Sequence, residues 1–426
     1  MIRPFEKQLS ALVGEGDCSV LMAVSGGVDS MVMASLFAAS QYGKRAAIAH
    51  VNFQLRGCDS DADEALVQRW ADSVHIPFYV QRFDTLSYAR IQKCSVEMAA
   101  RELRYQWFEE LRQAIQMDWI AVAHNANDHA ETVILNMIRG TGIRGLCGIP
   151  QKQGVIIRPM LHFKRSQIEV YAQNKQIPFR EDTTNALFDF ARNRIRHTVL
   201  PALAKINPSV VEQLEENARY IQQARNILEE EVEKKRGAWC RQEGDALFFK
   251  VEQMINDPNI HYWLFEILHP YGFGSGQIEQ MVNILQAQPG RRVLSDTHIL
   301  YKDRGLLALI PKKLDVSLPQ VQVTLFDAST YPLGKNREIA ALDADKLQFP
   351  LTLRRWMYGD RFIPFGMHGF KKVSDYLTDL RIPLWEKERQ WVLCSGSDIV
   401  WVVRKRIDDR YKVNDKTEKV AEIILV

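Results

Sequence analysis

The 426-residue chain reads as an α/β protein, with an N-terminal doubly wound, mostly parallel sheet, then a helical linker and middle domain, then a small α+β C-terminal domain. Three observations predict this. From residue 18 to about 160, short apolar runs alternate with amphipathic stretches, the rhythm of strands and crossover helices. A glycine-rich turn, Ser25-Gly26-Gly27-Val28-Asp29-Ser30, closes the first apolar run and opens a helix. Further on, a long charged stretch separates this half from a basic segment rich in aromatic residues.

In chain order, "SVLMAVS", "RAAIAHVNF", "PFYVQRF" and "WIAVAH" read as strands, with "GVIIRPM" a weaker fifth. Between them "SDADEALVQRWADSVH" and "SVEMAARELRYQWFEELRQAIQ" carry apolar residues at helical spacing, with Ser60 and Ser95 at the N-cap positions. Such alternation implies a parallel sheet covered on both faces, whose ligands bind beyond the carboxyl ends of the strands where strand order reverses. After "RSQIEVYAQNKQ", the stretch Ile206 to Gly237 has apolar residues at helical spacing among charged ones, as a solvated helix joining two domains would. Residues 245 to 310 read as a small helical module with a strand or two, and 311 to 335 as a linker. The expected domains are 1–205 (catalytic), 206–335 (mainly helical linker and middle domain) and 336–426 (C-terminal).

A hydrophobic content of 46% and a charged content of 25% are those of a soluble globular protein. No stretch approaches the ~18 apolar residues of a membrane span. The first residues lack the apolar core and cleavage site of a signal peptide, so a cytoplasmic protein without a membrane partner is expected. Cys18, Cys58, Cys94, Cys147, Cys240 and Cys394 lie far apart with no C-x-x-C pair, which argues against a disulfide framework, a zinc ribbon or an iron–sulfur site. From a net charge of +3 alone, nucleic-acid binding is not inferred; its distribution along the chain says more.

The opening turn is where chemistry enters. Gly26 and Gly27 allow a ligand close to the main chain, Ser25 and Ser30 offer hydroxyls, and the helix beginning at Val28 points free N–H groups into the turn. An ordinary glycine-rich strand–helix turn is the plain alternative. The chain has neither G-x-x-x-x-G-K-[ST] nor G-x-G-x-x-G, so a γ-phosphate would lack its usual lysine clamp. Backbone N–H groups and hydroxyls can still hold a pyrophosphate, and Asp29 can help to hold Mg²⁺, which takes oxygen ligands. This suits cleavage of ATP between the α- and β-phosphates. Residues 25–30 resemble the pyrophosphate loop of the N-type ATP pyrophosphatases, which adenylate a carbonyl oxygen and then displace AMP with a nucleophile.

Further segments narrow the resemblance: "AHVNFQLRG", "MAARELRYQWF", "AHNANDHAETVILNMIRGTGIRGLCGIP", "EDTTN" and "ARNRIRHTVLPAL", and near the C-terminus "LRRWMYGDRFIPFGMHGFKKVSDYLTDLRIP". Together they resemble the tRNA(Ile)-lysidine synthetases through roughly residues 20 to 205 and again after 350; the middle matches much less distinctly. That resemblance implies conversion of the wobble cytidine of the isoleucine tRNA with a CAU anticodon into lysidine, using ATP with Mg²⁺ and free L-lysine. The oligomeric state stays open, a homodimer included.

A base carbonyl attacking an α-phosphate concentrates negative charge, so arginines should line the site. Arg101 and Arg104, three apart on one helix face, are placed there, against a plain reading as surface salt bridges with Glu97 or Glu109. Asp128 and Glu131, also three apart, are the residues the resemblance associates with lysine. The family pattern His-x-x-Asp-Asp-Gln is altered here to Asn127 and His129, which removes a paired carboxylate and leaves Asp128. His124 and His129, five apart, read as satisfied polar histidines, not metal ligands. "RGTGIRG" is expected as a flexible loop carrying Arg139 and Arg144 to nucleotide or tRNA phosphates. "EDTTN" and "ARNRIRH" give a turn and a basic helix with Arg192, Arg194 and Arg196. The resemblance sets Arg192 over the active site to stabilise the adenylated intermediate, and Arg194 and Arg196 are assigned to tRNA; a solvated basic helix that only binds tRNA backbone is the alternative.

Residues 351–412 hold 13 Lys and Arg against 8 Asp and Glu, and ten Trp, Tyr or Phe. Basic residues interleaved with aromatics suit nucleic acid, although most of these rings are expected to fill a small core. Lys371 and Lys372, just before a helix in "FGMHGFKKVSDYL", are expected to contact tRNA phosphates. Other readings are a tRNA thiolase of the same superfamily, for which no cysteine pair is seen, amidation of a small acid, which needs no basic C-terminal module, and a catalytically silent tRNA-binding homologue.

Overall fold

Val20 and Met22 of the first strand pack into one apolar cluster and Leu21 into another, the alternation of a strand buried on both faces. The computed structural model describes residues 1–14, 18–180, 190–312, 319–332, 334 and 336–425. It divides into two units, Met1–Leu228 and Glu229–Val426.

The first unit runs α1 (Ile2–Val13), β1 (Val20–Ala23), α2 (Val28–Ala39), β2 (Ala46–Asn52), α3 (Cys58–Ser73), β3 (Phe78–Arg82), α4 (Thr85–Gln92), α5 (Val96–Ala114), β4 (Trp119–Ala121), α6 (Ala126–Arg139), α7 (Gly142–Leu146), β5 (Lys152–Gln153), β6 (Ile156–Ile157) and α8 (Arg165–Asn174). Its sheet has the order β3-β2-β1-β4-β6-β5. All neighbours are parallel except β5 and β6. Strand order therefore reverses beside β1, and the turn after it sits at the switch point where such sheets bind ligands. Ala46 and Ile48 join the cluster on the α1–α2–α3–α8 side, with Met31, Phe37, Val67 and Ile168. Ala47, Ala49 and Ile120 join Phe108 of α5 on the other.

Two local expectations change. Ser95 caps α5, its hydroxyl accepting from Met98 N at 3.2 Å. Ser60 is no cap: α3 begins two residues earlier with Gly57 at its N-cap, and the Ser60 hydroxyl accepts from Arg56 N at 3.3 Å. The N-terminal helix α1, outside the alternating pattern, buries Phe5 and Leu9, with Phe5 edge-on to Phe37 at 5.1 Å.

After the described residues resume, α9 (Phe190–Arg194) runs into a π-helical turn, Ile195–Val199, then α10 (Leu200–Ile206) and α11 (Val210–Trp239). Ile195 and Leu200 pack on Ala130 and Ile134 of α6, which fixes the π turn over that helix. The α11 end within this unit is tied down by a hydrogen bond between Glu215 and His162 and an ion pair between Glu212 and Lys164.

In the second unit, a five-stranded antiparallel sheet stands where the sequence shows a strand or two. It comprises β7 (Cys240–Glu243), β8 (Ala246–Lys250), β9 (Arg292–Leu294), β10 (His298–Asp303) and β11 (Leu306–Pro311), with α12 (Ile260–Leu268) and α13 (Ile278–Gln286). The expected linker includes β12 (Val321–Asp327), which pairs with the last strand, Lys419–Leu425. It adds to the C-terminal α+β layer because Val321 and Val323 pack on its core. That layer also holds a four-stranded antiparallel sheet and the helix Val373–Asp379. Of the ten aromatic residues in 351–412, Phe362, Tyr376, Trp385 and Trp401 are buried while Tyr358, Phe365 and Phe370 are exposed. Among the described residues no helix is long and apolar enough to cross a membrane.

Candidate active site

The turn after β1 is held by its own hydroxyls. The Ser30 hydroxyl donates to Gly27 O at 2.9 Å and accepts from Ser25 N at 3.1 Å, and the Ser25 and Ser30 hydroxyls lie 3.2 Å apart. Gly26 has φ of +93°, a backbone that L side chains rarely adopt. Its carbonyl accepts from Arg180 N at 3.1 Å, and the Arg180 side chain pairs with Asp59 and Asp63 of α3. Gly27 is the N-cap of α2 and brings no side-chain cap, so the first N–H groups of the helix, beginning at Val28, point into the turn.

Asp29, in the first turn of α2, meets two partners from elsewhere. Asn125 Nδ2 donates to its Oδ1 at 3.0 Å, and Arg165 pairs with Oδ2. Burial raises its pKa above the usual carboxylate value, the Arg165 charge pulls it back, and the Asp128 charge adds to the rise. Asn125 also caps α6 in a reciprocal box: its Oδ1 accepts from Asp128 N at 3.0 Å and Asp128 Oδ2 accepts from Asn125 N at 3.1 Å.

One helical turn on, Glu131 is wholly buried. It accepts from Arg192 Nε at 2.9 Å and from Arg196 Nε at 2.6 Å, while Arg196 Nη2 reaches Asp128 Oδ1 at 3.0 Å. Four residues apart across the π turn, Arg192 and Arg196 thus converge on the same carboxylates, and Arg194 is exposed. "EDTTN", 181–185, lies outside the described residues.

Arg101 and Arg104 are paired with no carboxylate among the described residues. Arg101 stacks over Tyr105 at 5.0 Å and Arg104 over Phe53 at 5.1 Å, while Glu109 takes Arg112 at 2.7 Å. Burial pushes the Arg104 pKa down. His124 Nδ1 accepts from Arg158 Nε at 3.1 Å, and burial beside four arginines lowers its pKa to about 3, so the ring is neutral. His129 is not fully satisfied: Nδ1 accepts from Ile149 N at 3.2 Å, which puts the proton on Nε2, and that buried atom has no partner among the described residues. A Cβ on Gly148 would come within 2.5 Å of this ring. Asn127 Oδ1 accepts from Arg165 N at 3.0 Å, so the position without its carboxylate anchors the start of α8.

The expected flexible loop at "RGTGIRG" is an ordered turn: α6 ends at Arg139, Gly140 closes it with φ of +69°, and α7 follows at once. Arg139 is exposed and Arg144 half-buried. In the second unit Lys371 pairs with Asp379, and Lys372 is exposed.

Sequence reasoning missed Asn125, Arg158 and Arg165. Asn125 had a readable sign, an Asn three residues before an Asp at a helix start. Arg158, a charge inside an apolar strand run, signals a buried partner. Arg165 carries no local sign, because its contact with Asp29 joins segments 136 residues apart in the chain.

A family model described as PP-loop domain matches residues 1–203, one described as TilS substrate binding domain matches 242–312, and one described as TilS substrate C-terminal domain matches 351–424. A protein from Parabacteroides distasonis named tRNA(Ile)-lysidine synthase is 40% identical over 423 residues, 95% of this chain and 94% of its own length. The chain belongs to the tRNA(Ile)-lysidine synthase family. A relative of the same name from Bacteroides thetaiotaomicron is 38% identical over 95% of this chain and 94% of its own. Among solved structures, the U34-tRNA thiolase NcsA from Methanococcus maripaludis covers 52% of this chain and 80% of its own at 17% identity and a TM-score of 0.44, a likeness too loose to argue from.

Proposed function

We propose that the chain is an ATP-dependent tRNA(Ile)-lysidine synthase. ATP lies with its β- and γ-phosphates in the 25–30 turn. The C2 carbonyl oxygen of the wobble cytidine in a CAU anticodon attacks the α-phosphorus, and pyrophosphate leaves. The ε-amine of free lysine then attacks C2, and the C2–O bond breaks to release AMP. An anticodon loop leaves this base unstacked at little cost.

One observation carries the reading: Asn125 joins the phosphate turn to the carboxylate pair, donating to Asp29 and capping the helix at Asp128. Acid groups suited to a lysine ammonium therefore sit beside the turn suited to pyrophosphate. Asp128 and Glu131 would bind the amine, while Arg101, Arg104 and Arg192 would face the charge that develops at the α-phosphate. Arg139, Arg144, Arg194, Arg196, Lys371 and Lys372 are read as tRNA contacts. Arg196 would have to leave the carboxylate pair to act so.

Mg²⁺ fits as a passenger of the substrate. Asp29 is a single carboxylate with both oxygens engaged, and among the described residues no group of three His, Cys, Asp or Glu could hold a metal. Mg²⁺ commonly takes one or two carboxylates and draws its other ligands from phosphates and water. Asp29 is the protein group that would meet Mg²⁺, and the bound cation would neutralise charge on the departing pyrophosphate.

The test is mass analysis of the anticodon-loop cytidine after incubation of the full chain with tRNA, ATP and labelled lysine, beside Asp29→Ala. Label in that nucleotide, lost in the variant while tRNA affinity persists, is the expected result. Pyrophosphate release without label, or label incorporated equally by the variant, would overturn it.

A further inference from the structure

The 25–30 turn lacks the lysine that commonly neutralises nucleotide phosphates, yet a departing pyrophosphate needs a cation as well as N–H donors. The structure brings one to the turn from elsewhere. Arg165 pairs with Asp29, the carboxylate of the turn itself. Its backbone is pinned by Asn127 Oδ1 at 3.0 Å, and its Nε is steadied by Glu169 at 2.7 Å, one helical turn along α8. With its side chain 41% exposed, the guanidinium keeps donor groups towards solvent. Three other cations are already committed: Arg158 to His124 and Pro150 O, Arg196 to Glu131 and Asp128, and Lys164 to Glu212.

We propose that Arg165 is the pyrophosphate-side cation of this site, held over the turn by Asp29 and transferred to the β,γ-phosphates when these enter. The inference rests on reading 25–30 as the ATP site. This ion pair serves two ends. It keeps the half-buried Asp29 compensated, and it stores a planar, bidentate phosphate binder beside the helix N-terminus.

The experiment is calorimetric titration of the full chain with inorganic pyrophosphate plus Mg²⁺, and separately with AMP, for wild type, Arg165→Ala, Arg165→Lys and Ser30→Ala. Arg165→Ala should weaken pyrophosphate binding roughly 10- to 100-fold and leave AMP within about twofold, since a charge-assisted contact is lost from one ligand only. Arg165→Lys should recover part of the loss, because charge remains without the fork. Equal weakening of both ligands would make Arg165 a scaffold of the turn and overturn the proposal. Unchanged pyrophosphate binding in Arg165→Ala, with Ser30→Ala still impaired, would overturn it while sparing the ATP site. A wild-type chain that binds no pyrophosphate would sink both.

Discussion

Asn125 and Asp29 are joined by a 3.0 Å hydrogen bond that spans the sheet's switch point, from the cap of one helix to the first turn of another. The same side chain caps α6, so two effects can be separated by substitution. Asn125→Ser keeps a cap acceptor but is too short to reach Asp29; Asn125→Ala loses both. The alanine variant should lose about 1 kcal/mol of stability, with the serine variant close to wild type in denaturant melts. Both should raise the KM for ATP. Equal stability of the two variants would remove the cap from the account, and an unchanged KM would remove the link to Asp29.

Asp128 and Glu131 are not equivalent. Glu131 is wholly buried under two guanidinium groups, whereas Asp128 keeps 15% of its side chain exposed. Asp128→Asn is therefore the cleaner probe of lysine binding. It removes one charge opposite the ammonium, and a hydrogen bond to a charged group is worth about 1.5–3 kcal/mol, so the lysine KM should rise one to two orders of magnitude with little change for ATP. Glu131→Gln should do the same and also lower the thermal midpoint, because it leaves Arg192 and Arg196 without their buried counter-charge. A lysine KM that stays put in both variants removes the pair from substrate binding.

His124 gives a pH signature. Its folded pKa is lowered to about 3 from an ordinary 6.5, so the folded chain binds fewer protons than the unfolded chain between these values. Acidification through 6.5 therefore favours unfolding, and this contribution to stability is progressively lost until about pH 3. The slope is at most about 1.4 kcal/mol per pH unit. His124→Asn keeps an acceptor for Arg158 and does not titrate, so the stability gap between variant and wild type should shrink as pH falls from 7 to 4. A gap independent of pH would show that His124 takes up its proton at the same pH folded as unfolded, and its burial would play no part in the titration.

How far the residues spoke in advance depends on how local their contacts are. The strands of the parallel sheet were legible: β1, β2 and β4, mostly buried, leave continuous apolar runs bounded by turns, the more exposed β3 still shows Phe78, Tyr79 and Val80, and the Ser25–Ser30 turn announced itself through its glycines. The edge strand β5 was not: two exposed residues, Lys152 and Gln153, carry no apolar pattern. The middle module's sheet was obscured because β7 and β9 are short and mostly exposed, leaving only the apolar runs of β8, β10 and β11. In the site, spacing of three exposed the Asp128–Glu131 and Arg101–Arg104 pairs. What Arg192 and Arg196 touch was hidden, since a π turn changes which side chains share a face. Arg165 lay beyond reach for a simpler reason: a contact between distant segments leaves no periodicity.

The two lysines of the C-terminal layer should behave differently on tRNA. Both lie on a short strand paired with Arg361–Phe362, directly before the helix Val373–Asp379, and close by Phe370 stands exposed with Arg361 at 5.2 Å and Arg410 at 5.1 Å from its ring centre. Lys371, however, already pairs with Asp379, so moving it to a phosphate exchanges one anion for another. Lys372 is exposed and makes no such exchange. Neutralising one phosphate contributes a slope of about −0.9 in log affinity against log salt. Lys372→Ala should therefore flatten that slope by roughly one unit, and Lys371→Ala by clearly less. Asp379→Asn should steepen the slope through a released Lys371. ATP affinity should hold in all three, as the 25–30 turn belongs to the other unit. Filter binding across a salt series decides the matter: if Lys371→Ala and Lys372→Ala leave the slope as in wild type, this strand does not touch the tRNA backbone.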